Sequence, residues 1–182
     1  MNSTDLSKYD NSWYHPKRGI VVRTLWFLIN VLFFINPLQP FSGMKVFLLR
    51  LFGAGVGRGV IVKPGVNIKY PWHLTIGDNS WLGENVWIDS LCAVTIGRNC
   101  CLSQGSIIIT GNHDYKSTTF DLKVEPVVLE DGVWLGAGSM VTPNVTCYSH
   151  SVLSAGSVAS SDLEPYFVYR GNPAVKIRSR NL

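Results

Sequence analysis

Residues 76–108 read IGDNSWLGENVWIDSLCAVTIGRNCCLSQGSII, and the aliphatic residues in this stretch fall on a six-residue grid. Ile76, Leu82 and Ile88 are evenly spaced, and after a two-residue insertion the series resumes with Ile96, Leu102 and Ile108. Beyond a gap it continues through Leu129, Leu135, Val141, Cys147, Leu153 and Ala159. All twelve positions are apolar or small; against a 46% hydrophobic background that arises by chance about once in ten thousand trials, before any allowance for choice of register. A period of six is neither a helix nor a flat strand. It is one short strand plus one corner, so three such units close a triangular coil with the aliphatic residue inward, and stacked coils bury a continuous column. Glycine follows Ile76, Leu82, Ile96 and Leu135, where it is expected to permit the turn, and Val127, Val133, Val145 and Ser151 form a second small or β-branched set two residues earlier.

Upstream the texture differs. Residues 1–17 are polar, with Trp13, Tyr14, His15 and Pro16 suggesting an irregular lead-in. Gly19 to Ile35 (GIVVRTLWFLINVLFFI) is almost wholly apolar, Pro37 and Pro40 interrupt, and Gly43 to Phe52 (GMKVFLLRLF) reads as a second helix. At 17 residues, with Arg23 and Asn30 inside, the first stretch is at the bottom of the membrane-spanning range. The favoured alternative is an amphipathic hairpin over 19–52 that packs on the domain or lies on a membrane surface, with Lys17, Arg18, Lys45 and Arg50 toward headgroups. The expected organisation is therefore a lead-in and helical hairpin over 1–52, a mainly β coil domain over 53–162 with an inserted loop at 110–126, and a short basic C-terminal segment over 163–182.

Composition agrees. Only 15% of the 182 residues are charged, while 17 glycines and 9 prolines point to many turns joining short apolar strands. The net charge of +4 is concentrated at the two ends, which suits phosphate groups or an anionic surface as well as it suits solvated termini. No run of alternating basic and aromatic residues exists to track a nucleic-acid backbone. Cys92, Cys100, Cys101 and Cys147 show neither paired spacing nor histidine partners, so they read as packing thiols in a reducing cytosol, not as a metal or catalytic set.

The grid breaks once, in residues 110–126, TGNHDYKSTTFDLKVEP, and an excursion from a solenoid is where binding groups usually sit. It carries Asn112, His113, Asp114 and Tyr115 in a row. Acyl transfer to a hydroxyl needs a base of near-neutral pKa and donors for an oxyanion, and His113 can supply the first. A lone loop histidine is more often simply solvated. His15, His73 and His150 lie in the lead-in and at corners, where they read as structural or solvated, and the four histidines lack the spacing of a three-histidine zinc site.

The repeat resembles that of the hexapeptide-repeat acyltransferases, and further segments narrow the resemblance. LLRLFGA at 48–54, VKPGVNIKYPW at 62–72, the WID run at 87–89, GNHDY at 111–115 and GNPA at 171–174 look like the colanic acid biosynthesis type of sugar O-acetyltransferase. The resemblance implies a left-handed parallel β-helix, acetyl-CoA as donor, no metal, and a sugar hydroxyl as acceptor in exopolysaccharide, capsule or O-antigen biosynthesis. It implies His113 as general base, Asn85, Asp89, Asn112, Asp114 and Tyr115 on the acceptor, and Trp134, Gly136, Ala137, Ala155, Gly156, Ser160, Pro173, Lys176 and Arg178 on the cofactor. Asn85 alternatively fits a left-handed corner, Asp89 alternatively orients the histidine, and Trp134 either lines the cofactor tunnel or covers the core. Family members often carry Thr-Lys where this chain has Ser160-Ser161, so one lysine contact to coenzyme A is expected to be missing. The resemblance further implies a homotrimer acting in the cytoplasm at the membrane's inner face, on an acceptor carried by a lipid-linked or nucleotide-linked intermediate. Serine or amino-sugar N-acetyl transfer on the same fold, or a non-catalytic β-helical scaffold, are the rival readings.

Overall fold

A computed structural model describes residues 3–182. The chain winds as a parallel β-solenoid of triangular section, each coil placing one short strand on each of three faces. The first face stacks Gly55–Val56, Leu74–Ile76, Val94–Ile96, Val127–Leu129 and Thr146–Cys147; the third stacks Asn67–Ile68, Trp87–Asp89, Ile107–Ile109, Met140–Val141 and Val158–Ala159. The second begins at Ile61–Val62, passes through Trp81–Leu82, Cys101–Leu102, Trp134–Leu135 and Val152–Leu153, and ends in an antiparallel pair, Phe167–Gly171 and Ala174–Ser179.

The six-residue grid is the core. Ile76, Ile96, Leu129 and Cys147 stand in register on the first face, Leu82, Leu102, Leu135 and Leu153 on the second, and Ile88, Ile108, Val141 and Ala159 on the third. Each is buried to within 1% of its surface. The glycine that follows the aliphatic does not take the turn, contrary to the expectation. A Cβ on Gly77 would lie 2.6 Å from the carbonyl carbon of Gly97, and one on Gly136 would lie 2.5 Å from the amide of Ala155, so these glycines let successive coil backbones touch. The positive-φ turn falls two residues later, at Asn79, Asn85, Asn99 and Gly138, where asparagine tolerates the left-handed conformation and glycine adopts it freely.

Both interruptions of the grid fall at one edge of the prism, between the third and first faces. There Tyr70 leads into a 3-10 turn at Pro71–His73, the pair Leu91-Cys92 bulges out, and residues 110–126 leave as an antiparallel hairpin, Gly111–His113 with Leu122–Val124. The expected loop is thus a β-hairpin, in register Gly111 to Val124 and His113 to Leu122.

The N-terminal hairpin closes the open end of the solenoid. Helix α1 (Ile20–Ile29) continues into a π turn at Asn30–Ile35, and α2 (Ser42–Leu51) follows. A solenoid end exposes unpaired strand groups, and this hairpin's polar side chains meet them. Trp26 Nε1 donates to the Ile68 carbonyl at 2.8 Å, Asn30 Oδ1 accepts from the Ile68 amide, and Ser42 Oγ accepts from the Val62 amide at 2.8 Å. Lys45 does not face headgroups as expected: it is fully buried, donates to the Lys63 carbonyl at 2.9 Å, and burial lowers its pKa. Arg50 stays exposed, with its guanidinium on the carbonyls of Val56 and Gly57. The outer surface still shows Val21, Leu25, Phe27, Leu28 and Phe47 to solvent. No helix among the described residues is long and apolar enough to cross a membrane.

The buried thiols are packing groups. Cys147 belongs to the first-face column, and burial raises its pKa; burial pushes the Cys100 thiol up to about 11. His73 is buried with Nδ1 on the Ser90 carbonyl at 3.0 Å, and His150 holds a left-handed corner stacked on Tyr166.

Candidate active site

Strand pairing in the 110–126 hairpin sets His113 opposite Leu122 and brings it under the turn that Phe120 ends. Phe120 holds φ at 54°, which turns its carbonyl back toward the hairpin, and His113 Nδ1 meets that oxygen at 2.9 Å. A carbonyl only accepts, so Nδ1 carries the hydrogen, and in the neutral ring the lone pair is on Nε2. The Phe120 ring stacks on the imidazole at 4.3 Å, nearly parallel, and Tyr9 closes another side at 5.7 Å between ring centroids. The histidine is thereby fixed in orientation and tautomer by its own hairpin.

His113 opens on a cavity of about 420 Å³ at the edge between the third and first faces, shared with Tyr9, Asn11, Tyr14, Lys69, Tyr70 and Arg23. The lead-in therefore folds over the site: the Asp5 amide donates to the Thr118 carbonyl at 2.8 Å, and Tyr14 Oη donates to the Leu91 carbonyl at 2.7 Å. Burial raises the Tyr14 pKa, and Tyr70, Cys92 and Asp89 add to the rise, so that hydroxyl stays protonated and keeps its hydrogen for the Leu91 carbonyl. The sequence reading missed Tyr9, Asn11 and Tyr14; aromatic residues at three places in an otherwise polar lead-in were the available signal.

The expected acceptor residues disperse. Asp89 is buried and pairs with Lys69 at 3.3 Å, so its nearest charged partner is a cavity lysine and not His113. Asn112 Oδ1 accepts from the His113 amide at 2.8 Å. Asp114 is held at 2.9 Å by Lys123, whose hydrogen bond, with that from the Lys116 amide, keeps the carboxyl below its ordinary range. Tyr115 projects from the hairpin tip, and Asn85 sits at an exposed corner between the second and third faces with φ 58°, lining no cavity with His113. Among the described residues no group of three His, Cys, Asp or Glu side chains is placed to hold a metal ion.

A second groove, of about 840 Å³, runs along the corner between the second and third faces and over the second face. Five expected cofactor residues line it together: Trp134, Gly136, Ala137, Ala155 and Arg178. Trp134 is half exposed, with Nε1 on Ser103 Oγ at 2.9 Å, so it forms the groove wall and does not cover the core. Ala137 and Ala155 are exposed and their amides have no acceptor within the described chain. Gly156, Ser160, Pro173 and Lys176 stand outside the groove. Lys176 pairs with Glu164 and lies 4.0 Å over the Phe167 ring. The separation of Lys176 from Arg178 has a cause in the last strand. Tyr169 pairs Lys176 while its neighbour Val168 pairs Arg178, so Ile177 is an extra residue, and the bulge sends two side chains that would share a face to opposite ones. Ser103 and Gln104, missed from sequence, enter because their coil stacks directly on that of Gly136 and Ala137.

The histidine cavity and the groove share no lining residue. One chain thus presents an orientation-fixed histidine at one edge of the prism and a groove with free amide donors at another.

No family model matches the chain. It is 40% identical over 156 residues, 86% of either chain, to the Escherichia coli K12 protein assigned to colanic acid biosynthesis as the acetyltransferase WcaF. It is 30% identical over 137 residues to the galactoside O-acetyltransferase of the same organism, covering 74% of this chain and 68% of that one. Among solved structures it superposes on a hexapeptide-repeat-containing acetyltransferase from Vibrio cholerae with a TM-score of 0.79 at 25% identity, over 88% of this chain and 92% of that one. The same protein complexed with acetyl coenzyme A matches with a TM-score of 0.80 at 24% identity, over 88% of each chain. With the coil register, the hairpin and these likenesses together, the chain belongs to the hexapeptide-repeat acetyltransferases, on the branch of the colanic acid biosynthesis acetyltransferases.

Proposed function

We propose that this protein transfers the acetyl group of acetyl-CoA to a sugar hydroxyl during extracellular polysaccharide assembly, with His113 as general base. The observation that carries the reading is the bond from Nδ1–H of His113 to the Phe120 carbonyl, which leaves Nε2 as a preset proton acceptor at the mouth of a polar cavity. Nε2 takes the hydroxyl proton as the sugar oxygen attacks the thioester carbon. Backbone amides of the Ala137 and Ala155 corners hold the oxyanion, the carbon–sulfur bond breaks, and the imidazolium returns its proton to the departing thiolate. No acyl-enzyme is formed. Arg178 pairs with cofactor phosphate at the groove's end.

Because base and groove lie apart in one chain, the reading requires a homotrimer in which the His113 edge of one subunit faces the groove of the next. The use of acetyl-CoA puts the reaction on the cytoplasmic side, and the apolar outer surface of α1 lets the protein rest peripherally on the membrane. The name of the galactoside relative favours oxygen over nitrogen as the accepting atom.

The test is thiol release from acetyl-CoA against sugars, amino sugars and serine. Sugars are expected to support turnover, and His113→Ala to lower kcat by about 10²–10⁴ with the KM for acetyl-CoA unchanged. Unchanged turnover in His113→Ala removes the histidine as base, and turnover on serine or amino sugars alone removes the sugar hydroxyl.

A further inference from the structure

On the second face the residues that alternate with the core column run Ile61, Trp81, Cys101, Trp134, Val152 and Val168, in register from coil to coil. Cysteine is the smallest side chain in that row, and it stands between two indoles, which leaves a notch. A cavity of about 320 Å³ occupies the notch, walled by Trp81, Gly83, Cys101 and Leu102. It shares Ser103 and Gln104 with the groove that holds Trp134, Ala137 and Ala155, so the two spaces are consecutive lengths of one furrow.

The furrow follows a corner whose residues are stacked by main-chain bonds. The Gly156 amide donates to the Ala137 carbonyl at 2.9 Å, Gly138 to Gln104 at 2.9 Å, Gly105 to Glu84 at 2.8 Å and Asn85 to Pro64 at 3.2 Å. Ala155, Ala137, Gln104, Glu84 and Pro64 therefore mark successive coils, about 4.8 Å apart. Charge sets the direction along this line. Arg178 and Arg180 lie at the Ala155 end, the amides without an acceptor follow at Ala155 and Ala137, and the notch opens beyond Gln104. A thioester whose phosphates meet Arg178 and whose carbonyl oxygen rests on those amides has its sulfur toward the arginines and its acyl carbon toward Gln104.

An acetyl methyl group ends near Gln104, yet the furrow continues to Glu84, two coils or about 10 Å from the level of Ala137. The space left over is more than a methyl group fills, and its walls are the half-exposed Trp81 and the partly covered Cys101. Lys63 and Glu84 flank the far end with opposite charges, so neither a carboxylate nor an ammonium at the tip of a chain is favoured there. The acceptor's polar cavity is at the His113 edge, which leaves this compartment to the donor.

The geometry points to a donor range wider than acetyl: a short, uncharged, straight acyl group such as propionyl or butyryl, carried on coenzyme A, lies with its tail in the notch between Trp81 and Trp134, over Cys101. In the transfer the carbon–sulfur bond breaks, an ester carbon–oxygen bond to the sugar forms, and the hydroxyl proton ends on the coenzyme thiol. This deepens the acyl-transfer reading by naming a further activity of the same site, and it rests on that reading for the course of the cofactor along the groove.

The test is calorimetric titration of the full chain, without acceptor, with coenzyme A, acetyl-CoA and butyryl-CoA. Two further buried methylenes are expected to make butyryl-CoA bind about tenfold more tightly than acetyl-CoA. Cys101→Phe, which fills the notch, should abolish that advantage and leave coenzyme A affinity within about twofold. Trp81→Ala, which removes a wall, should reduce the advantage to about threefold or less, while Trp87→Ala, similarly exposed on the third face and outside the notch, should leave it intact. Equal affinity for the two thioesters overturns the inference, as does an advantage that survives Cys101→Phe or falls equally in Trp81→Ala and Trp87→Ala. The titrations do not depend on transfer. Tighter butyryl-CoA binding with no turnover of either thioester on any sugar sinks the functional reading and keeps the acyl compartment; acetyl turnover with equal binding of the thioesters sinks the compartment alone.

Discussion

Asn85 carries two readings that one pair of substitutions separates. It holds φ at 58°, as Asn79 and Asn99 hold theirs near that value at equivalent corners, and an L-residue pays a conformational penalty there that glycine avoids. If the corner is its role, Asn85→Gly retains stability and activity, and Asn85→Ala destabilises by about 1 kcal/mol in denaturant unfolding. A role on the acceptor instead requires both variants to raise the acceptor KM. Gly136 is constrained by contact, not by turn geometry: Gly136→Ala is expected to cost about 1–3 kcal/mol by overpacking against the Ala155 amide, and to weaken coenzyme A binding, both measurable by unfolding and titration. The left-handed asparagines were legible because Asn-x corners recur through the sequence. The reason for Gly136 was not, because close approach between coils is a relation between residues 136 and 155 that no local window contains. Phe120 was equally hidden: its carbonyl selects the histidine tautomer only through the register of a hairpin that the grid reading left as a loop.

At the scale of elements, the helical hairpin acts as a lid on unpaired strand edges. Asn30 is its most informative side chain, bonded at once to Asn67 and to the Ile68 amide. Asn30→Leu is expected to destabilise by about 1–3 kcal/mol, since the buried edge groups lose their partner, and thermal unfolding checks it. The 3-10 turn at the site edge adds a pH dependence. Burial, outweighing the Ser90 carbonyl bond that favours the charged form, lowers the His73 pKa below its ordinary 6.5. The unfolded chain then binds a proton that the folded one resists, so this contribution is full above pH 6.5 and is lost as pH falls from there toward the folded value. A melting-temperature profile should decline over that window, and His73→Gln should flatten it. Both helices were legible from their apolar runs and flanking prolines. The destination of Lys45 was not: amphipathicity assigns a lysine to the wet face, and only the exposed Lys63 carbonyl at the solenoid's end makes burial favourable.

At the scale of the molecule, a six-residue period dictates a prism, and the prism separates the chemistry. Irregularities in the period collect at one edge and form the His113 cavity; uninterrupted coils at another corner form the groove with free amides. The architecture was legible because twelve inward positions report it redundantly. The distance between His113 and the groove was not, because a one-dimensional grid does not say which of three edges an insertion leaves from. The proposed trimer would reunite them at an interface, and two different defects placed on different subunits would then each be covered by a neighbour. The direct test is complementation: His113→Ala and Ala155→Trp, each inactive alone, are refolded together in equal amounts and assayed for acetyl transfer. Random mixing in a cyclic trimer leaves a good histidine facing a good groove at about one site in four, so recovery of about a quarter of wild-type turnover is predicted. A mixture as inactive as its components would contradict the shared site and, with it, the proposed transfer.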